Sequence, residues 1–206
     1  MPSHAQDTTY VDLGLSVKWG TCNLGANSPE EYGDYYAWGE IETKEKYDWS
    51  TYKWCEGDFD KLTKYCVKTE FGMNTEFCKV DNKSTLELED DAAHVKLGGS
   101  WRIPTVEELV ELDKYCDSEW TAIKGIKGCK LTSTINGNSI FLPAAGAIVD
   151  TDITDQGKEC TYWASTLVVE DCRCTYECAY YASTPFCFYD PLPFRCYGHP
   201  IRPVRK

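Results

Sequence analysis

The thirty residues from Asp171 to Pro200 concentrate the side chains whose chemistry could serve a function. Cysteine occurs five times there, tyrosine five, phenylalanine three and proline four, while lysine, glutamine, methionine, tryptophan and asparagine do not occur. Tyrosine provides a large contact area at a low cost in entropy and keeps a hydroxyl for hydrogen bonds. Proline reduces the conformational freedom that is lost on binding. This composition predicts a ligand-binding surface.

Ligand contacts are predicted along the whole segment. Its aromatic rings would be apolar anchors, its charged residues polar contacts and its cysteines small apolar contacts. The predicted ligand-binding residues are Asp171, Cys172, Arg173, Cys174, Ala179, Tyr181, Thr184, Pro185, Cys187, Phe188, Tyr189, Asp190, Leu192, Phe194, Cys196, Tyr197 and His199. An alternative stays open for Tyr176, Tyr180 and Phe186, which could face the core from alternate positions of a strand.

Zinc binding and catalysis are less favoured interpretations of the same residues. The five cysteines lack the Cys-x-x-Cys spacing of zinc sites, and no histidine is near them in sequence before His199. Cys196 and His199 could form a nucleophile–base pair, but they lie inside the segment assigned to ligand contacts. His94 is expected to have a structural role beside a short helix. We therefore predict no catalytic residue, no bound metal and no enzymatic activity.

Calcium is the remaining cofactor to consider. Residues 56–60 and 150–155 each carry three acidic side chains. Calcium needs about six to eight oxygen ligands, and Trp163 is followed by Ala164-Ser165 rather than by the Asn-Asp of calcium-dependent sugar binders. The acids are therefore predicted to lie in solvated loops and no cofactor is expected, with a structural calcium ion as the alternative.

Twelve cysteines, an even number, raise the question of a disulfide framework. A chain of 206 residues can bury enough apolar surface without six bridges, so a complete framework is disfavoured. One or two bridges are expected in the first 160 residues. The candidate cysteines are Cys55, Cys66, Cys78, Cys116, Cys129 and Cys160.

Length and charge exclude several classes of protein. The length suits a single domain over residues 1–206. The net charge of −12 argues against nucleic acid as a partner. No apolar run of about 18 residues is present, so membrane insertion is not expected. The start, MPSHAQDTTY, lacks the apolar segment of a signal peptide. No heptad seam is visible, and we expect a monomer.

Sequence patterns predict some of the helices and strands that would position this segment. Thr105-x-x-Glu108 is a capping box that begins a helix, and Asp90-Asp91 precedes a shorter one. Asn136-Gly137 predicts the turn of a hairpin. Strands are expected within residues 10–20, 160–169 and 199–204, the last closing the sheet, and residues 42–90 would be a long insertion with short elements.

This order of elements predicts an α+β domain with an antiparallel sheet. Four prolines, at positions 185, 191, 193 and 200, argue against a central strand or a helix in the C-terminal segment. Most of that segment is therefore predicted to be loop, or edge strand interrupted by loops, at the surface.

A coding regularity distinguishes the same segment. Of its thirty residues only Glu177 is of a type that no codon ending in a pyrimidine encodes, the other such types being Met, Trp, Lys and Gln. Asparagine codons of that form, altered at their first two bases, would reach every other residue type that the segment uses. Asn138 is the last asparagine of the chain, so no unaltered position of this kind remains visible.

Six stretches of the chain resemble the Fibrobacter succinogenes major paralogous domain family, whose fold is similar to that of a C-type lectin. They are YVDLGLSVKWGTCNLGA (10–26), EEYGDYYAWGE (30–40), DDAAHVKLGGSWRIPTVEELVEL (90–112), NGNSIFLPAAG (136–146), YWASTL (162–167) and GHPIRPV (198–204). The resemblance implies a C-type lectin-like fold of the formylglycine-generating-enzyme-like subclass, with antiparallel sheets, one or two helices and a long insertion. It also implies that Arg195 and Arg202 belong to the scaffold.

Some members of this family are variable proteins of diversity-generating retroelements, in which adenine-directed mutagenesis rewrites codons near the C-terminus. The resemblance would place the rewriting in residues 168–199. It implies a receptor-type protein that binds a protein or cell-surface ligand, displayed on a cell surface or a phage particle. Two alternatives remain: an unvaried surface adhesion or structural module of the same family, and an enzyme of formylglycine-generating type, since GGSWRIPTVEEL resembles those enzymes too.

Overall fold

Two α-helices and a set of small antiparallel sheets form the architecture. The computed structural model describes residues 9–67, 79–168 and 194–206, together with the backbone of residues 179–184. The helices are α1 (Ala92–Leu97) and α2 (Val106–Tyr115), preceded by a 3-10 turn at Leu88–Asp90. The strands are β1 (Tyr10–Val11), β2 (Lys18–Gly20), β3 (Tyr35–Tyr36), β4 (Cys116–Ile123), β5 (Ile126–Ser133), β6 (Ser139–Pro143), β7 (Ala147–Val149), β8 (Asp152–Thr154), β9 (Cys160–Leu167), β10 (Ala179–Thr184), β11 (His199–Pro200) and β12 (Val204–Arg205).

The predicted α+β class with antiparallel pairing is confirmed. Within the described ranges the sheets have the orders β1-β2-β12, β3-β11, β4-β5-β6, β7-β8 and β9-β10. None of the helices found there has the length and hydrophobicity that crossing a bilayer demands.

The final residues are paired with the beginning of the chain. Val204 lies opposite Trp19 of β2, and His199 lies opposite Tyr36 of β3. One closing strand was predicted for residues 199–204, but the chain forms two short strands in different sheets. The chain leaves the β3–β11 pair after Pro200, and the buried residues Ile201 and Arg202 lie between the two strands.

Helix α2 begins where the capping box predicts. The Oγ1 of Thr105 accepts a hydrogen bond from the N–H of Glu108 at 3.4 Å, and the Oε2 of Glu108 accepts one from the N–H of Thr105 at 2.9 Å. These bonds satisfy donors that a helix start leaves without a partner. Leu109 and Leu112 then face the core. Asp91 caps α1 in a similar way by accepting from the N–H of His94.

The predicted hairpin is present and belongs to a larger sheet. Strands β5 and β6 are joined through a turn in which Gly137 has a φ of +78°. This left-handed conformation costs glycine little. Strand β4, which follows α2 without a loop, adds a third strand that the sequence reasoning missed.

Aromatic and aliphatic side chains build the core in three neighbouring clusters. One surrounds Trp19 and contains residues of α2, β5, β6 and β9. A second joins Trp38 and Trp163 to α1, and a third joins Tyr47 and Tyr52 to Cys196. Residues from both ends of the chain therefore share the same interior.

Disulfide bonding is more limited than the number of cysteines suggests. Cys66 is disulfide-bonded, so one predicted candidate is confirmed. Cys78 lies outside the described residues. Among the described residues, Cys22, Cys55, Cys116, Cys129, Cys160 and Cys196 form no disulfide, so four of the six candidates take no part in the one or two predicted bridges. Pairing shows the reason for two of them: Cys116 lies opposite Ser133 and Cys129 opposite Trp120. The two thiols are thus about 13 Å apart along the ladder, too far for a bridge.

The guanidinium of Arg202 ties three parts of the fold together. This side chain is 1% exposed. It donates hydrogen bonds to Asn23 Oδ1 at 2.9 Å and to the carbonyl oxygens of Gly20 at 3.0 Å, Thr21 at 2.8 Å and Phe141 at 2.8 Å. The chain around Arg202 is thereby linked to the loop after β2 and to strand β6.

Replacing Arg202 by methionine is expected to destabilise the protein by about 3–5 kcal/mol, because buried oxygens would lose their donors. Arg205→Met, at a partly exposed position of β12, is the matched control and is expected to cost less than about 1 kcal/mol. Urea unfolding followed by circular dichroism measures both changes. Equal losses in the two variants would contradict the role assigned to Arg202.

Candidate ligand-binding surface

The candidate surface starts where β9 ends, at a fixed point of the scaffold. The N–H of Leu167 donates to the carbonyl of Ser84 at 2.7 Å, and the N–H of Ser165 donates to that of Pro104 at 2.8 Å. Leu167 and Val168 are both buried. The chain therefore enters the surface segment from a position held by hydrogen bonds and by packing.

The return from the segment is fixed just as tightly. The carbonyl of Arg195 accepts from the N–H of Trp38 at 2.9 Å, and Gly198 exchanges two backbone hydrogen bonds with Ile148, of 2.8 and 2.9 Å. A Cβ atom on Gly198 would lie 2.9 Å from the ring of Tyr47. Glycine is therefore required for the backbone to pass this close to the ring.

Between these points the chain forms β10, which pairs with β9. Ala179 lies opposite Leu167, Tyr181 opposite Trp163, and the register shifts between Ala179 and Tyr181. Three predicted ligand contacts, Ala179, Tyr181 and Thr184, lie on this strand.

The structure describes four of the other predicted contacts. Phe194 and Tyr197 are partly exposed, whereas Cys196 and His199 are buried. The predicted contacts that lie outside the described residues are Asp171, Cys172, Arg173, Cys174, Pro185, Cys187, Phe188, Tyr189, Asp190 and Leu192. Tyr176 and Phe186, which could face the core instead, lie outside them as well.

The prediction that Cys196 and His199 contact a ligand is wrong. Cys196 has no exposed surface, and burial raises the pKa of its thiol to about 12. His199 is 3% exposed, with its ring 4.5 Å from that of Trp163 and its Nδ1 3.0 Å from Thr161 Oγ1. Burial lowers the pKa of His199 to about 3. A protonated thiol and a hydrogen-bonded neutral imidazole do not make an activated nucleophile and its base.

Arg195 belongs to the scaffold, as predicted. Its side chain has no exposed surface, and its NH1 donates to the carbonyl of Tyr65 at 3.0 Å. The guanidinium also lies 5.7 Å from the ring centroid of Trp38 and 5.9 Å from that of Tyr52. These cation–π contacts fix the last turn of the segment to the interior.

Sequence reasoning missed two aromatic residues that adjoin the end of the segment. Trp49 lies 5.9 Å from Phe194 and 6.5 Å from Phe59, and Phe194 lies 5.3 Å from Tyr197, as ring-centroid distances. All four side chains keep exposed surface, and Phe59 is 39% exposed. We call these four residues the aromatic patch. Trp49 and Phe59 come from the polar insertion, and only their aromatic character within an acidic stretch could have indicated them.

Negative charge accompanies the aromatic patch. Phe59 stands between Asp58 and Asp60 in the sequence, and its N–H donates to the Oδ1 of Asp58 at 2.8 Å. Asp48, next to Trp49, has a pKa lowered to about 2 by its hydrogen bond to Lys46. The patch therefore offers apolar rings beside acidic side chains.

The acids proposed for calcium do not come together. Among the described residues, the only acidic group compact enough for a metal ion is Glu87, Glu89 and Asp90. Lys64 already occupies it, with its Nζ 2.6 Å from oxygens of Glu87 and Asp90. These hydrogen bonds raise the pKa of Lys64 despite partial burial. Lys53 and Lys83 also form ion pairs with Asp90 and Glu87, so three lysines balance the three acids and the group does not fit a cation.

The low pKa of His199 predicts a stability that falls on acidification. The unfolded chain takes up a proton below about pH 6.5 and the folded chain does so only near pH 3. Stability should therefore drop by about 1.4 kcal/mol per pH unit in this window. His199→Gln removes this contribution, and His94→Gln is the control. Urea unfolding at pH 7 and pH 5.5 measures the slopes. A wild-type slope retained by His199→Gln would disprove the assignment.

The chain was compared with protein families, curated proteins and solved structures. No family model, no curated protein and no solved structure matches the chain.

Proposed function

We propose that this protein is a ligand-binding protein of receptor type, the variable protein of a diversity-generating retroelement. Its C-type lectin-like scaffold would display the residues between Leu167 and Phe194 as a diversified surface. The observation that carries the proposal is the sharp change at both ends of this segment. Buried, hydrogen-bonded scaffold lies on either side, and the composition shifts to Cys, Tyr, Phe and Pro between them.

Fixed ends are what a variable surface requires. Leu167 and Arg195 are each held by backbone hydrogen bonds to other parts of the chain. Backbone bonds do not depend on side-chain identity, so substitutions between these points leave them intact. Anchoring also limits the entropy that the segment loses when it binds a partner. The scaffold thereby supports many sequences at one place.

Two rings of the aromatic patch, those of Trp49 and Phe59, would supply an unvarying part of the binding surface. Trp49 and Phe59 lie outside the segment, yet they extend the row of rings that Phe194 and Tyr197 begin. Large rigid rings are typical anchors of protein interfaces. The proposed ligand is a protein or another molecule of a cell surface, and the protein itself would be displayed on a cell surface or a phage particle.

The proposed C-type lectin-like fold rests on the arrangement of the resembling stretches. Residues of 10–26 and of 198–204 pair in one sheet, and α2 begins within residues 90–112. A scaffold whose two ends meet leaves the connection before the last strands free to form a surface. An unvaried adhesion module would use the same surface, and only the coding DNA separates it from the proposal.

The coding DNA provides the decisive test of diversification. A near-copy of the stretch that encodes residues 168–194 is expected close to the gene, differing from it only where the copy has adenines. Sequencing the locus in independent isolates should place substitutions in that stretch alone. Absence of the copy, or substitutions spread evenly over the gene, would refute diversification and favour the unvaried adhesion module.

Display of the segment predicts that its side chains contribute little to folding. The double variant Phe188→Ser/Tyr189→Ser should change the free energy of unfolding by less than about 0.5 kcal/mol. The matched control is Tyr162→Ser on β9, where the ring is 1% exposed and donates to the carbonyl of Pro143; it should cost about 3 kcal/mol or more. Thermal unfolding compares the three proteins. A loss in the double variant as large as in the control would contradict the proposal.

A further inference from the structure

Strand β4 is an edge of the sheet β4-β5-β6, and on its outer side it pairs with no strand that the structure describes. It has eight residues, and all eight pair with β5 in a register without a bulge. Natural edge strands are shielded by short length, proline, bulges or charged side chains, lysine above all. β4 has the sequence CDSEWTAI, without proline or lysine, and forms no bulge with β5; its only charged side chains, Asp117 and Glu119, lie on one face. A long regular edge of this kind is a template for another strand.

The main chain of β4 has groups available on its outer side. Lys124 and Gly125, with φ values of +49° and +84°, form the two-residue turn that joins β4 to β5. In such a hairpin the closing pair, Ile123 and Ile126, is hydrogen-bonded, and the ladder alternates from there. The bond from the N–H of Thr134 to the carbonyl of Tyr115, at 2.9 Å, agrees with this alternation.

The alternation directs the N–H and C=O groups of Ser118, Trp120 and Ala122 away from β5. No described residue forms a hydrogen bond with them, and all three residues are exposed. Three successive outward positions can exchange a full ladder of bonds with an added strand.

The side chains of β4 indicate the kind of strand that would fit. Asp117 and Glu119 lie on one face, both exposed, and neither forms an ion pair with any residue that the structure describes. Lys130 lies opposite Glu119 on β5 without bonding to it. Trp120, which is 46% exposed, lies on the other face. The edge thus presents two unpaired carboxylates on one face and an aromatic ring on the other.

We infer that the edge of β4 binds an extended segment of another protein in which basic and apolar residues alternate. Basic side chains would lie beside Asp117 and Glu119, and apolar ones beside Trp120, as cross-strand pairs that stabilise a sheet. A second copy is a poorer occupant. It would bring four carboxylates together between two chains that each have a net charge of −12. This inference does not depend on the proposed function of the C-terminal segment.

The test uses two capped synthetic peptides of about ten residues, one alternating lysine with valine and the other glutamate with valine. NMR measures amide hydrogen exchange of the whole protein with each peptide. The lysine peptide should slow exchange about tenfold at Ser118, Trp120 and Ala122, because these amides gain acceptors. The amides of Glu119 and Thr121, already bonded to β5, should change little. The glutamate peptide should have no effect.

Two variants separate main-chain pairing from charge. Ser118→Pro removes one outward donor without touching the ladder to β5 and should abolish binding, whereas Ser118→Ala should retain it. Asp117→Asn/Glu119→Gln should weaken binding of the lysine peptide about fivefold. If Ser118→Pro does not fold, the loss of lysine-peptide binding in the double variant is sufficient to test the inference.

Three results would overturn the inference. The first is equal exchange with and without the lysine peptide, and the second is equal binding of both peptides. The third is slowed exchange at Ser118, Trp120 and Ala122 that rises with protein concentration in the absence of peptide, which would identify a second copy as the occupant.

Discussion

The burial of Arg202 is the interaction on which the rest of the structure depends. A guanidinium has a high cost of transfer into the interior, and burial lowers the pKa of Arg202. Its hydrogen bonds to Asn23, Gly20, Thr21 and Phe141 go to uncharged oxygens, three of them backbone carbonyls. The cation is therefore compensated only when the loop after β2, the strand β6 and the C-terminal segment have all reached their native positions. This requirement couples the two ends of the chain and makes their assembly cooperative.

Arg195 extends the same constraint to the point where the candidate surface ends. Between Arg195 and Arg202 the chain is buried at almost every position, with Cys196, His199 and Ile201 in the core. Few alternative paths of the chain can bury two guanidinium groups in the interior. The backbone before Arg195 is therefore anchored to a rigid base, whatever side chains precede it. Separation of folding information from binding information is the physical basis for the proposed function.

The features of the fold that could be predicted from the sequence are those determined by residues close together in the chain. The capping box of α2, the Asp91 cap and the Asn136-Gly137 turn each need only neighbouring residues, and each is present. Strand β4 was missed because its residues, mostly polar, show no buried face of their own and gain strand structure from pairing with β5. Cys196 and His199 were misassigned for a related reason. Their burial depends on Thr161 and Trp163, distant in sequence, whereas their local composition matches that of the candidate surface. Trp49 and Phe59 were missed because Trp49 packs against Phe194, which is distant in sequence, and Phe59 packs against Trp49. No local sequence pattern indicates these contacts.

The two proposed binding surfaces, the segment between Leu167 and Phe194 and the edge of β4, differ in the groups that contact a partner. The segment between Leu167 and Phe194 would bind through side chains, so its specificity changes with its sequence. An edge strand binds mainly through backbone groups, which persist when side chains change. Its contacts are set by the register of β4 on β5, and that register is fixed by a turn and by the burial of Cys129 and Leu131 beneath it. A protein whose ligand varies still needs an invariant attachment to whatever carries it. Main-chain pairing at β4 has the physical properties of such an attachment, because the proposed variation between Leu167 and Phe194 would leave β4 unchanged.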